Sequence, residues 1–230
     1  MDENWRELLD LLVTEGQLVG KRVLEVGCGT GRLAVALAER GSRVWAVDPS
    51  EEMLREARAV AAGRRVGLKR ASAEDLPFRD GWFDAAVMRL VVHLVDRPRA
   101  FAELARVLVP GGRVAIATFA PEHFDGFWLT EVFPDVRELD RRRFPAPGEL
   151  EAELSAAGFT AARTTRLDQT GRLARDEALE RIRGRYISTL RLLDDDAFAA
   201  GLARAERELP AVVESPLRWA VVSAEIAGPQ

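Results

Sequence analysis

Apolar positions along the chain follow two alternating periods. Short runs at Val23-Leu24-Glu25-Val26, Val44-Trp45-Ala46-Val47, Val66-Gly67-Leu68, Phe83 to Leu90 and Val114 to Ala117 read as strands. Between them, apolar residues recur three and four apart. One such stretch covers Arg32 to Arg40 and stops at Gly41. The next is opened by Ser50, with Glu51 and Glu52 in its first turn. A third is capped by Asp96, carries Phe101, Leu104, Ala105 and Leu108 on one face, and ends at Pro110-Gly111-Gly112. Strands that alternate with helices in this way need crossover connections, so the expected class is α/β with a doubly wound parallel sheet. A further amphipathic helix, Asp2 to Val13, precedes the first strand. It either covers the sheet edge or turns Trp5 toward a ligand.

From Ala120 the pattern loosens around Pro121, Pro134, Pro145 and Pro147, with Phe124, Phe127, Trp128 and Phe133 clustered among them. Helices are expected from Pro147 to Gly158, over Asp176 to Leu193 and over Asp195 to Leu209. Strands are expected over Phe159 to Leu167 and Trp219 to Ile226. Arg141-Arg142-Arg143 reads as a solvated loop, because three consecutive residues cannot share one helix face. An anion-attracting patch is the alternative.

Composition narrows the possibilities. At 230 residues the chain suits one domain, with an elaborated cap at most. Hydrophobic residues make up 47% and charged residues 30%, and the formal charge is -4, so nothing suggests attraction to nucleic acid or to a membrane surface. A single cysteine, Cys28, excludes an internal disulfide and a multi-cysteine metal site. The start of the chain, Met1-Asp2-Glu3-Asn4-Trp5, is acidic where a secretion signal would be basic, and no apolar run is long enough to span a bilayer. A cytoplasmic location is expected, with no bound metal.

The chemistry concentrates where the first strand meets its helix, Glu25-Val26-Gly27-Cys28-Gly29-Thr30-Gly31. Glycines here let the backbone approach a ligand at the helix N-terminus. A phosphate-cradling loop would need Lys and then Ser or Thr after the glycines, but Arg32 follows Gly31. A dinucleotide turn would need its third glycine at position 32, and it would bring pyrophosphate beside Glu25. S-adenosylmethionine carries an ammonium and a sulfonium and no phosphate, so an acid at this strand end attracts it. Asp48, at the tip of the second strand, can accept hydrogen bonds from both hydroxyls of a ribose, while Ser50 caps the next helix.

Val23 to Gly31, Val47-Asp48-Pro49-Ser50, Ala73-Glu74-Asp75-Leu76-Pro77-Phe78, Phe83-Asp84 and Leu108-Val109-Pro110-Gly111-Gly112-Arg113 occur in that order over residues 23 to 119. In these segments the chain resembles the class I S-adenosylmethionine-dependent methyltransferases, in the branch similar to the ubiquinone and menaquinone C-methyltransferases. The resemblance implies a Rossmann-like, mostly parallel seven-stranded sheet whose last strand is antiparallel and inserted beside the fifth, with a helical lid. It implies one methyltransferase domain over 1–230, with an N-terminal helix in 1–20 and lid or acceptor-pocket segments at 121–148 and 170–212. It places Glu25, Gly27 and Gly29 around the methionyl part of the cofactor and Asp48 at the ribose, with Cys28, Gly31 and Pro49 also among the cofactor-binding residues. Met53 would lie at the adenine, Ser72, Ala73 and Glu74 at its edge, and the Arg89 backbone at the cofactor's amino group. Ser72 departs from the aspartate usual in relatives and offers no charge.

The implied reaction is methyl transfer to a small-molecule acceptor by in-line displacement, leaving S-adenosylhomocysteine. His93, just beyond the fourth strand, is the candidate base and His123 a second; a packing or capping role is the alternative for each. The competing functions are a non-catalytic S-adenosylmethionine-binding module and a nicotinamide-dependent oxidoreductase. The latter is opposed by the lone Tyr186, which has Leu190 rather than lysine four residues on.

Overall fold

The computed structural model describes residues 3–228. Met1 and Asp2, the start of the expected N-terminal helix, lie outside the described residues. Helix α1 (Glu3–Gly16) leads into β1 (Arg22–Val26), α2 (Arg32–Glu39), β2 (Arg43–Asp48), α3 (Glu51–Val60), β3 (Val66–Arg70), β4 (Phe83–Arg89), α4 (Arg97–Val107) and β5 (Leu108–Phe119). After these come α5 (Leu129–Val132), α6 (Pro134–Arg143), α7 (Pro147–Ala156), β6 (Phe159–Ala174), α8 (Arg175–Arg183), α9 (Asp195–Glu208) and β7 (Val212–Ile226). The strands form one seven-stranded sheet in the order β3-β2-β1-β4-β5-β7-β6. Strands β3 to β5 pair in parallel, and the last strand, β7, is antiparallel beside β5, so the expected architecture is observed. No helix of the described residues is long and apolar enough to cross a membrane.

Two compact units contain the chain. Among the described residues the first comprises 3–118, 146–166 and 220–228, and the second 119–145 and 167–219. In the first unit, Leu24, Val26, Ala86, Met88, Val114 and Ile116 are almost completely buried between the helical layers. Asp84 fixes β4 against β1: its Oδ2 accepts from the Arg22 N–H at 2.8 Å and its Oδ1 from Arg22 Nη2 at 2.7 Å. Arg106 on α4 donates to the carbonyls of Leu76 and Phe78, at 2.9 and 2.8 Å, and so ties down the loop that leaves β3.

Several expectations need correction. The helix expected over 176–193 stops at Arg183, because Gly184 caps it and Arg185 turns left-handed at φ 45°; Ser188–Arg191 is a separate 3-10 turn. Strand β6 continues to Ala174, beyond the expected end at Leu167. Its extension, Asp168-Gln169-Thr170-Gly171-Arg172, is polar on both faces, as an edge strand tolerates, and so gives no apolar period. Strand β7 begins at Val212 rather than Trp219, with Pro216 disguising its early part. Strand β5 begins at Leu108, so Pro110-Gly111-Gly112 lies inside its span. Arg141-Arg142-Arg143 forms the last turn of α6 instead of a loop. Its cations diverge to Asp125, Glu138 and Asp140, each on a different side, as the spacing of three successive helical residues requires.

Glu15, near the end of α1, is a buried structural carboxylate. Arg163 Nη2 and Ser223 Oγ donate to its Oε2, and Thr165 Oγ1 to its Oε1, each at 2.8 Å, which fastens α1 to β6 and β7. Burial pushes its pKa up, but the hydrogen bonds from Thr165 and Ser223 and the charge of Arg163 outweigh that and leave it below the usual 4.5. A carboxyl held down in the folded state stabilises the fold above the unfolded pKa and loses that effect as pH falls through the native one. Glu15→Ala should therefore cost about 2–4 kcal/mol in urea unfolding at neutral pH. The gap to the wild type should narrow in acid, below the ordinary carboxylate pKa of 4.5.

Candidate functional site

The C-terminal ends of β1, β2 and β4 open onto a cavity of about 600 Å³. Parallel strands present ligands at this edge, and the volume is ordinary for a small-molecule site. The glycine turn forms its floor. Gly27 sits at φ 72° and Gly29 at φ 51°, both in the left-handed region. A Cβ on Gly27 would lie 2.3 Å from Val91 Cγ2, so only glycine lets the segment after β4 close down on the turn. The N–H groups of Gly27 and Cys28 donate to the Val47 carbonyl at 2.8 and 3.0 Å, which ties the turn to β2.

Asp48 completes the turn from the other side. Its Oδ2 accepts from the Gly29 N–H and its Oδ1 from the Ser50 N–H, both at 2.9 Å, and Ser50 Oγ in turn accepts from the Met53 N–H as the cap of α3. Leu90 leaves β4 at φ 55°, an uncommon conformation for leucine, and sends Val91, Leu94 and Val95 along the cavity.

Glu25 lines this cavity while only 2% exposed, and its Oε2 has no hydrogen-bond partner among the described residues. Burial pushes its carboxyl up to about 8; the Asp48 charge adds to the rise, and the Arg89 guanidinium and the Ala34 N–H oppose it. Arg89, also in the wall, is pushed down from its ordinary value, first by burial and then by Arg32, with Glu25 pulling the other way. Arginine nonetheless keeps its charge. The face of Trp5, on α1, lies 4.8 Å from the Arg32 guanidinium and 5.2 Å from that of Arg89. Cys28 is buried in the wall with its thiol pushed up to about 12 by burial, then by Glu25 and Asp48, so it is not a thiolate nucleophile.

Of the residues singled out from the sequence, Glu25, Gly27, Cys28, Gly29, Asp48, Pro49, Met53, Ser72, Ala73, Glu74 and Arg89 all line this one cavity. Gly31 and His93 are not among its lining residues; His93 lies half-buried in the turn after β4. Glu74 faces the cavity, yet its Oε1 accepts from the Asp96 N–H at 2.9 Å. His123 belongs to the second unit, fully buried and stacked on Phe119 with centroids 3.9 Å apart. Burial pushes its pKa down to about 4, and the Pro216 carbonyl opposes that shift without reaching hydrogen-bonding geometry. Arg32 is a wall residue that the sequence discloses only as the residue standing where a dinucleotide turn has glycine. Nothing in its spacing signals the contact with Trp5.

The cavity lies at the edge where open α/β sheets take ligands, and comparison with known proteins shows the family to which the fold belongs. A family described as a methyltransferase domain matches residues 24–116. The demethylmenaquinone methyltransferase of Thermus thermophilus is 35% identical over 184 residues, covering 69% of this chain and 82% of that protein. Rv1403c, an uncharacterized protein of Mycobacterium tuberculosis, is 40% identical over 127 residues, 54% of this chain, and the match spans about half of its length, 46%. The crystal structure of the YcgJ protein of Bacillus subtilis has the same fold, with a TM-score of 0.69 and 22% identity, covering 97% of this chain and all of that one. The chain belongs to the class I S-adenosylmethionine-dependent methyltransferase family. Within that family it falls in the branch similar to the menaquinone methyltransferases.

A carboxyl whose native pKa is raised titrates with the opposite sign to Glu15. The unfolded Glu25 releases its proton near 4.5 and the folded one near 8, so the ligand-free fold loses stability as pH rises between those values. Glu25→Gln removes this dependence. Thermal scans without ligand should place the variant level with the wild type at pH 4 and above it by at least about 1 kcal/mol at pH 8, the equivalent of roughly one pKa unit.

Proposed function

We propose that the protein transfers the methyl group of S-adenosylmethionine to a small-molecule acceptor in the cytoplasm and releases S-adenosylhomocysteine. The observation that carries this reading is the pairing, in one cavity, of an incompletely bonded buried Glu25 with an Asp48 whose orientation two backbone N–H groups fix. Glu25 suits an ammonium next to a sulfonium. Asp48 keeps lone pairs for ribose hydroxyls, since each oxygen accepts only one backbone bond. Met53, Ser72 and Ala73 are assigned to the adenine. A nicotinamide dinucleotide would instead bring its pyrophosphate toward two carboxylates.

Bound S-adenosylmethionine supplies an electrophilic methyl group on sulfur. The chain has to align the acceptor about 3 Å from that carbon and hold bulk water away. Val91 and Val95 supply apolar wall for this purpose. His93 is assigned as the base that takes the acceptor's proton. Segments 121–148 and 170–212 are assigned the choice of acceptor. The relative from Thermus, a demethylmenaquinone methyltransferase, makes demethylmenaquinone the first acceptor to try.

Two measurements test the proposal. Calorimetry should give S-adenosylmethionine binding that strengthens by up to about tenfold per pH unit on approaching the native Glu25 pKa near 8, with protons released to the buffer. Binding of NAD with no binding of S-adenosylmethionine would sink the cofactor assignment. Incubation with methyl-labelled cofactor and a metabolite extract should label a small molecule, and His93→Asn should lower kcat about 100-fold at unchanged cofactor affinity. Label appearing in protein or nucleic acid would overturn the acceptor class, and cofactor binding without any transfer would identify a binding module.

A further inference from the structure

Strand β6 forms one edge of the sheet: β7 lies on its inner side, and no strand of the described residues pairs with it on the outer side. Its last stretch, from Leu167 onward, belongs to the second unit. An open edge offers a row of backbone donors and acceptors to another strand, and proteins blunt such edges with proline, bulges or charges. Between Leu167 and Leu173 there is no proline and no left-handed residue, and the two charges, Asp168 and Arg172, have opposite signs.

The order of residues here has a symmetry of its own. In Leu167-Asp168-Gln169-Thr170-Gly171-Arg172-Leu173, a leucine stands three residues to either side of Thr170, with an acid two residues before it and a base two residues after. The pleat puts Asp168, Thr170 and Arg172 on one face, where they are exposed, and the leucines on the other, where they are half-buried. Two copies of this strand laid antiparallel about a twofold axis at Thr170 oppose Asp168 of each copy to Arg172 of the other. On the other face they oppose Leu167 to Leu173, again twice. An axis at Asp168 or at Arg172 sets like charges against each other. An axis at Gln169 or Gly171 leaves both leucines and both charges unmatched.

The charges are free to serve in this way. The Asp168 carboxylate makes no hydrogen bond or ion pair among the described residues. Arg172 Nη2 reaches Glu214 Oε1 on β7 at 2.8 Å, with both side chains largely exposed. A guanidinium has five donors, so Arg172 can keep that contact and take a second carboxylate on its outer side.

We propose that the outer edge of β6 is a self-association surface, at which a second copy of this chain pairs antiparallel with the twofold axis at Thr170. A second copy fits better than an unrelated strand because the sequence complements itself. Pairing about a twofold also uses the edge of both copies and leaves none open for a third. A seven-residue contact is small beside a standard interface of about 1,600 Å², so the expected affinity is micromolar and weakened by salt. The proposal does not depend on the cofactor reading.

Light scattering after gel filtration, with the whole protein loaded at about 1–500 µM, tests it. The wild type should pass from monomer to dimer over this range, and at higher concentration when salt is raised. Asp168→Arg and Arg172→Asp each set like charges opposite one another twice per dimer, and each should weaken dimerisation at least about tenfold. Mixed in equal amounts, these two variants bring bases on one strand against acids on the other, so a mixed dimer should form at about the wild-type concentration. Asp168→Asn should weaken the dimer by about 2–30-fold, the worth of two exposed ion pairs. Circular dichroism melts check that each variant is folded. A wild type that stays monomeric throughout, a dimer indifferent to either charge reversal, or folded single variants that stay monomeric when mixed would each overturn the proposal. Should a reversal unfold the chain, Asp168→Asn decides alone, and an unchanged dimer overturns the proposal.

Discussion

The structure turns on a carboxylate placed where water scarcely reaches. Glu25 is 2% exposed at the end of a central strand, and burial works against its charge. What makes the position tolerable is local: the Ala34 N–H in the first turn of α2, and the nearby Arg89 charge. The glycine turn that follows holds its left-handed shape by bonding to β2 through the Val47 carbonyl and to Asp48 through the Gly29 N–H. The acid, the turn and the second acid therefore form one unit, and a change in any of them disturbs the others.

Glu15 offers an internal contrast. It is the same residue type and also buried, yet three side chains donate to it and its pKa lies below the ordinary value, whereas Glu25 keeps an unfilled oxygen and lies well above. Burial raises both but weighs far more heavily on Glu25, while the donors committed to Glu15 outweigh the smaller penalty there. The bonded carboxylate of Glu15 fastens elements together, whereas Glu25 keeps one oxygen without a partner among the described residues. The ligand-free fold gives up stability at Glu25 once pH favours the charged form that burial opposes.

The second unit has a different organisation. Its interior is aromatic: Phe119 stacks on His123 and lies 4.3 Å from Trp219, with Phe144 4.9 Å from Phe124. Asp140 accepts from Thr189, which also receives a hydrogen bond from Arg143 at 2.6 Å, so the last turn of α6 is tied to the 3-10 turn that follows α8. The arginine run is structural, with each cation spent on a neighbour within the unit.

Legibility followed the range of the interactions involved. The strands and helices up to β5 could be read because alternation, caps and glycines are local signals: Ser50 and Asp96 cap their helices as the sequence indicates. The cavity floor was legible for the same reason, since the glycine turn is contiguous and Asp48 stands at a strand tip. Beyond residue 120 the signals failed where structure depends on distant partners. Polar β6 is a strand because β7 pairs beside it, and the helical period over 176–193 is broken by a backbone turn at Gly184 and Arg185 that the apolar spacing does not register. The same division runs through the site. By itself the sequence determined that an acid, a glycine turn and a second acid come together at a strand edge. Only the tertiary structure decided that Arg89 shares Glu25's face and that Trp5 covers two arginines, because those contacts join residues from separate strands and helices.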